Sequence, residues 1–154
     1  MKRLLVPAAA AAAAVLVFAV VNATAGGSSA TAGGSIHVIE HATTDAVTNG
    51  TAGDSAGNIL TFANDVYDAA DAHKVGSDQG YCVRTVVGAA WECNWTTFLP
   101  GGQITVEGPF SDTGDTVVAV TGGTGAYRNA RGSMQLIYHN PAGTEFDFVF
   151  NLVG

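Results

Sequence analysis

The sequence predicts an all-β fold, an eight-stranded antiparallel up-and-down β-barrel, from three observations. Short β-type segments follow one another from Ile36 to the end of the chain, and several alternate apolar with polar side chains, the period-two pattern of a half-buried strand. Glycine-rich turns separate them, and no segment carries the apolar stripe of an amphipathic helix. Eight strands can close on themselves, which leaves no sheet edge exposed and space inside for one small ligand.

In chain order, Met1-Lys2-Arg3 is a basic patch, Leu4 to Val21 an uncharged apolar run, and Ala23-Thr24-Ala25 a small-x-small cleavage pattern. Residues 1–25 are therefore expected to be a secretory signal peptide, and the protein to be secreted and extracellular. An uncleaved anchor is the alternative, since the run approaches a bilayer span of about 20 residues. Residues 26–35, built from Gly, Ser, Ala and Thr, read as a flexible leader, and residues 36–154 as one barrel domain. The chain has six basic and thirteen acidic residues; without Lys2 and Arg3 the balance is four against thirteen. Such a surface repels nucleic acid and anionic membranes, so neither is an expected partner.

Strands are expected at 36–45, 58–67, 79–87, 91–99, 102–108, 115–121, 131–140 and 144–153. In the first, Glu40 shares a face with Ile36 and Val38, while His37 and His41 take the opposite face. A carboxyl group among apolar side chains has its pKa raised by burial and can move protons; a surface or interface glutamate is the plainer alternative. His37-Val38-Ile39-Glu40-His41 also matches H-x-x-E-H, a zinc pattern that works on a helix. On a strand the two histidines stand about 13 Å apart, too far to share one zinc, so no metal site is expected. Gly53-Asp54-Ser55 reads as a turn, and Asp65, Asp68 and Asp71 as solvated loop acids without calcium-loop spacing.

Cys82 and Cys93 are the only cysteines, eleven residues apart across an expected hairpin near Val87 and Gly88. In an oxidising compartment they are expected to form a disulfide across adjacent strands. Bridged, Cys82 has no acid–base role; free, it keeps one. Trp91 and Trp95 share the face of Cys93 and are expected in the core or at a subunit interface. Gln103 to Glu107 alternates cleanly, and Gly108-Pro109 closes that strand. After the apolar run Thr116 to Val120, Gly122-Gly123-Thr124-Gly125 supplies backbone able to take positive φ. The same glycines resemble a dinucleotide loop, but Ser133 to His139 behind them alternates like a strand and gives no helix N-terminus for phosphate. The last strand sets Phe146, Phe148, Phe150 and Leu152 on one face.

Several of these segments, in register, resemble the allene oxide cyclase and dirigent barrel proteins. They are Val106-Glu107-Gly108-Pro109-Phe110, Ala119 to Tyr127, and Ala130-Arg131-Gly132, with Gly53-Asp54, Phe62 to Tyr67, Val75-Gly76 and Gly80-Tyr81-Cys82-Val83 upstream. The resemblance runs from about Ile36 to the C-terminus and implies a barrel that packs as a homotrimer. It implies Glu40, Asn64 and Cys82 as catalytic residues; Phe62, Arg84 and Phe110 are the expected substrate contacts. The chain departs from the cyclases at Ala42, where they carry an asparagine that helps hold a water, and at Phe110, where they carry a tyrosine.

The function expected from all this is a secreted barrel that binds a hydrophobic small molecule and steers its cyclisation or coupling. It uses positioning and one carboxyl group and no cofactor. The alternatives are a carrier for an apolar small molecule and a structural protein whose lumen is filled by side chains.

Overall fold

A computed structural model describes residues 34–49 and 53–153. The expected signal peptide and all of the leader but Gly34 and Ser35 lie outside the described residues. The chain forms β1 (Ser35–His41), β2 (Ala46–Asn49), β3 (Ile59–Phe62), β4 (Asp65–Asp68), β5 (Lys74–Val86) and β6 (Ala90–Leu99). It continues through β7 (Gly102–Ser111), β8 (Thr116–Gly123), a 3₁₀ turn at Gly125–Tyr127, β9 (Arg131–Tyr138) and β10 (Glu145–Val153).

Two of the eight barrel strands are interrupted. β1 pairs with β4 and β2 with β3, both antiparallel, while β3 and β4 lie end to end along β5. Thus β1 with β2 make the first barrel strand and β3 with β4 the second. From β5 onward each strand pairs with the next in sequence, and β10 returns to β1 from Ser35↔Asn151 to His41↔Glu145. The result is a closed eight-stranded antiparallel barrel in which β2 is paired on one side only, to β3.

Strand alternation decides which side chains fill the interior. Phe146, Phe148 and Phe150 of β10 point inward with Met134 and Leu136 of β9, Val118 and Val120 of β8, and Ile104 and Val106 of β7, all buried. Each such side chain contributes roughly 1.5–3 kcal/mol on leaving water. The aromatic face of the last strand is therefore the inner one. The outer wall carries the histidines: His37 and His139 both contact Asp147, at 2.7 and 3.0 Å, and His41 contacts Asp71 at 2.7 Å.

The sequence places strands one, two and three imperfectly. Expected strands 36–45 and 58–67 break at 42–45 and 63–64, and the third begins at Lys74 instead of 79. Gly76 and Gly80 disguise its first half, because glycine disfavours strands in general. Here both are demanded by the neighbouring strand: a Cβ at Gly76 would overlap the Phe98 carbonyl, and one at Gly80 the Trp95 Cβ. Of the glycine cluster, Gly122 and Gly123 still belong to β8 and pair with β7, and only Thr124-Gly125 form the turn, packed on the turn before β7. Gly125 has φ +60, and a Cβ there would overlap the Gly101 carbonyl. A 3₁₀ turn and then β9 follow, so no helix N-terminus stands behind these glycines.

Candidate functional site

The two strand interruptions lie side by side and build the interior polar site. At 42–45 the chain leaves the ladder, and the Thr43 and Thr44 amides turn to the side chain of Asn64 in the second interruption. Asn64 Oδ1 accepts from Thr43 N (3.1 Å), Thr44 N (2.9 Å) and Thr44 Oγ1 (2.9 Å). Its oxygen saturated, the side chain can present only its NH₂ to the other side. That group donates to Glu40 Oε1 at 2.8 Å and Asp45 Oδ1 at 2.7 Å. The backbones of Asn64 and Asp78 exchange hydrogen bonds of 3.0 and 2.9 Å, which carries the Asp78 side chain on β5 into the same cluster.

Three carboxyl groups thus gather around one asparagine. Glu40 is 6% exposed and Asp78 1% exposed, while Asp45 stands at the rim with part of its surface in solvent. Burial pushes Glu40 well above the usual carboxylate range, repulsion from Asp78 adds to it, and the Asn64 amide pulls part of the way back. Burial likewise pushes Asp78 up to about 7, and raises Asp45. Asp78 Oδ2 is buried and meets no hydrogen-bond donor. A proton carried by Glu40 supplies one, so the arrangement favours a neutral Glu40 beside an ionisable Asp78 at neutral pH.

A cavity of about 40 Å³ opens against this cluster, with Glu40 and Asp45 on its polar side. Phe62, Trp95, Phe110, Phe146 and Phe148 form most of its wall. Their rings hold one another edge-on: Phe110 meets Phe146 at 5.7 Å, and Phe62 meets Trp95 at 6.3 Å. Space of this size admits more than one water. The cavity is lined mostly by apolar surface with a few convergent polar groups, as ligand sites are.

The structure joins Glu40, Asn64, Phe62 and Phe110 of the expected site residues. Cys82 also lines the cavity, but as half of a disulfide with Cys93, its direct partner across the β5–β6 hairpin. Its sulfur has no proton to exchange, so the expectation of Cys82 as an acid or base is corrected: it is wall. Arg84 is not among the lining residues. Its guanidinium stacks over Trp91 at 3.8 Å and pairs with Asp54 at 2.7 Å and Asp112 at 2.6 Å. Trp91 is core, whereas Trp95 is core and cavity wall at once. H-x-x-E-H is split by the strand, Glu40 inward and both histidines outward. Among the described residues, the ligand atoms close enough to hold a metal ion are those of Asp71, His139 and Glu145 on the outer wall, all within 4.8 Å.

Sequence reasoning missed Asp78 and Asp45. Asp78 was within reach, since it shares strand parity with Gly80 and Cys82 and so faces inward with them. Asp45 was not, because the break at 42–45 resets the alternation.

Among solved structures, the barrel is similar to a pyocyanin demethylase at 22% identity and TM-score 0.64, over 76% of this chain and all of that one. It is similar to the pterocarpan synthase dirigent protein PsPTS1 at 15% identity and TM-score 0.64, over 78% of this chain and 92% of that one. The exo-specific intermolecular Diels-Alderase AbnU matches at 18% identity and TM-score 0.64, over 79% of this chain and 98% of that one. Residues 36–150, nearly the whole described barrel, match the allene oxide cyclase barrel like domain, and the chain is a member of that family.

Proposed function

We propose that this protein takes an apolar small molecule into its barrel and steers the molecule's cyclisation or coupling, using shape and one protonated carboxyl group and no cofactor. The observation that carries the reading is Glu40: an inward-facing acid on the wall of an aromatic cavity, held by Asn64 and kept neutral by burial. Aromatic walls strip water from the guest and restrict it to few conformations, which lowers the entropic part of a cyclisation barrier. A neutral Glu40 donates a hydrogen bond or proton to an oxygen on which negative charge develops, and Asn64 fixes the direction of that donation. The solved neighbours are named as a demethylase, a synthase and a Diels-Alderase. That range supports a lumen adaptable to small-molecule chemistry.

The carrier reading gains support from the disulfide, which removes one proton-transfer group, but it gives no reason for a buried, oriented Glu40. The bridge fits an exported protein, and we place the protein outside the cell as a homotrimer. Native mass spectrometry of the exported protein tests the reading. A co-purified apolar molecule is expected, and Glu40→Gln is expected to retain it while abolishing its conversion. A protein that arrives empty and takes up no apolar compound overturns the proposal; unchanged turnover in Glu40→Gln removes Glu40 from it.

A further inference from the structure

The outer wall carries a second concentration of chemistry, built from imidazoles as well as carboxylates. Asp71 lies in the loop between β4 and β5, His139 just past the end of β9, and Glu145 at the start of β10. Each offers one ligand atom, and the three atoms lie within 4.8 Å of one another. Two of the three are fixed by the sheet: His139 N donates to the Glu145 carbonyl at 3.0 Å, and Glu145 stands opposite His41 in the β1–β10 register. Asp71 is brought to them by its own turn, its amide donating to the Asp68 carbonyl at 2.8 Å. The groups behind the three are placed as well. His139 Nδ1 contacts Asp147 Oδ2 at 3.0 Å, and the other oxygen of Asp147 contacts His37 Nε2 at 2.7 Å. His41 Nε2 contacts Asp71 Oδ1 at 2.7 Å, and its ring stacks on Tyr67 at 4.1 Å. Among the described residues, no lysine or arginine pairs with Asp71, Glu145 or Asp147: Lys74 holds Asp65, and Arg84 holds Asp54 and Asp112.

We propose that Asp71, His139 and Glu145 form a site for one divalent metal ion of the zinc class, a structural staple on the outside of the barrel. An imidazole nitrogen with carboxylate oxygens is a donor set that zinc accepts, whereas calcium and magnesium call for oxygen throughout. An ionised Asp147 keeps the proton of His139 on Nδ1, so Nε2 is the nitrogen left with a lone pair. That carboxylate behind an imidazole is the arrangement that orients metal-binding histidines. His41 steadies Asp71 from the other side. The two carboxylates bring two negative charges to a divalent ion, and no paired lysine or arginine competes for them. Donors on one zinc stand roughly 3.4 Å apart, so the side chains close by on the order of an ångström, within the swing of the Glu145 carboxylate. The ion joins the β4–β5 loop to the β9–β10 hairpin across the end of β1, the strand that carries Glu40 on its inner side. This site is separate from the cavity and does not depend on it.

The test titrates zinc chloride into the untagged, chelator-treated protein by isothermal calorimetry and follows the thermal midpoint by circular dichroism. One zinc per chain is expected, with micromolar affinity or tighter. The midpoint is expected to rise by several degrees at saturation, because the ion binds the folded protein and not the unfolded chain. His139→Ala, at an exposed position, and Glu145→Gln remove a ligand with little threat to folding. Each is expected to weaken zinc binding by roughly tenfold or more and to abolish the midpoint rise. Asp147→Asn acts through the imidazole alone. It is expected to weaken binding by about tenfold while the visible spectrum of the cobalt(II)-loaded protein keeps its shape. His73→Ala is expected to change nothing, since that ring contacts Asp68 instead, at 3.0 Å. Absence of zinc binding, an affinity unchanged in His139→Ala and Glu145→Gln, or calcium bound as tightly as zinc overturns the proposal.

Discussion

Asn64 sets the protonation of the interior through its orientation: with Oδ1 taken by Thr43 and Thr44, its NH₂ can only face Glu40 and Asp45. Asn64→Asp removes both donors and adds a fourth carboxyl group, so a loss of about 2–4 kcal/mol in urea-unfolding free energy is expected at neutral pH. Asp78 predicts the sign of the pH dependence. Its folded-state pKa of about 7 lies above the ordinary aspartate value, so the folded protein holds this proton more tightly than the unfolded chain. The resulting stability is fully present below about pH 4 and is lost as pH rises through about 7, an effect on the order of a few kcal/mol. Thermal midpoints are expected to fall between about pH 5 and pH 8 beyond what other groups contribute, and Asp78→Asn to flatten that fall. A slope unchanged in Asp78→Asn would show that the proton sits elsewhere. Glu40 was legible in the sequence because parity alone put it with Ile36 and Val38. Its partners were not, since the contacts of Asn64 with Thr44 and Thr43 join residues twenty and twenty-one positions apart.

At the scale of elements, the β5–β6 hairpin is the best-determined unit. Cys82 and Cys93 sit directly opposite each other in its register, and their bridge closes a short loop worth roughly 3 kcal/mol by the chain-entropy estimate. Replacing both with alanine is expected to lower the thermal midpoint by roughly 10 °C without unfolding the protein at room temperature, checked by circular dichroism with and without reductant. Gly80 in the same hairpin has no room for a side chain against Trp95. Gly80→Val is expected to cost about 2–3 kcal/mol in denaturant titration, although valine is the better strand former. The propensity that hid the first half of β5 from the sequence is overridden by this close strand approach. The broken strands were hidden for a related reason. Nothing local ends a strand at 42 or 63; the chain leaves the ladder there because the Thr43 and Thr44 amides find a better partner in Asn64.

For the molecule as a whole, the ring of strands closes between β1 and β10, so the two ends of the barrel domain are neighbours. A circular permutant joining Val153 to Gly34 through a short linker and opened at the exposed Pro141–Ala142 turn keeps every strand pairing. It is expected to melt within a few degrees of the parent, whereas deleting 35–41 opens the ring and is expected to abolish cooperative unfolding on calorimetry. The sequence by itself determined that the chain is all-β, that eight segments alternate, that the phenylalanines of β10 share one face and that Glu40 opposes the histidines. These follow from the period of two built into an extended backbone, which each segment carries alone. Only the tertiary structure decided that the phenylalanine face is the inner one, that Cys82 is bridged, that Arg84 is held by Asp54 and Asp112, and that Glu40, Asp45 and Asp78 meet around Asn64. Those outcomes depend on how strands distant in sequence are curled and registered against one another, and no single segment contains that information.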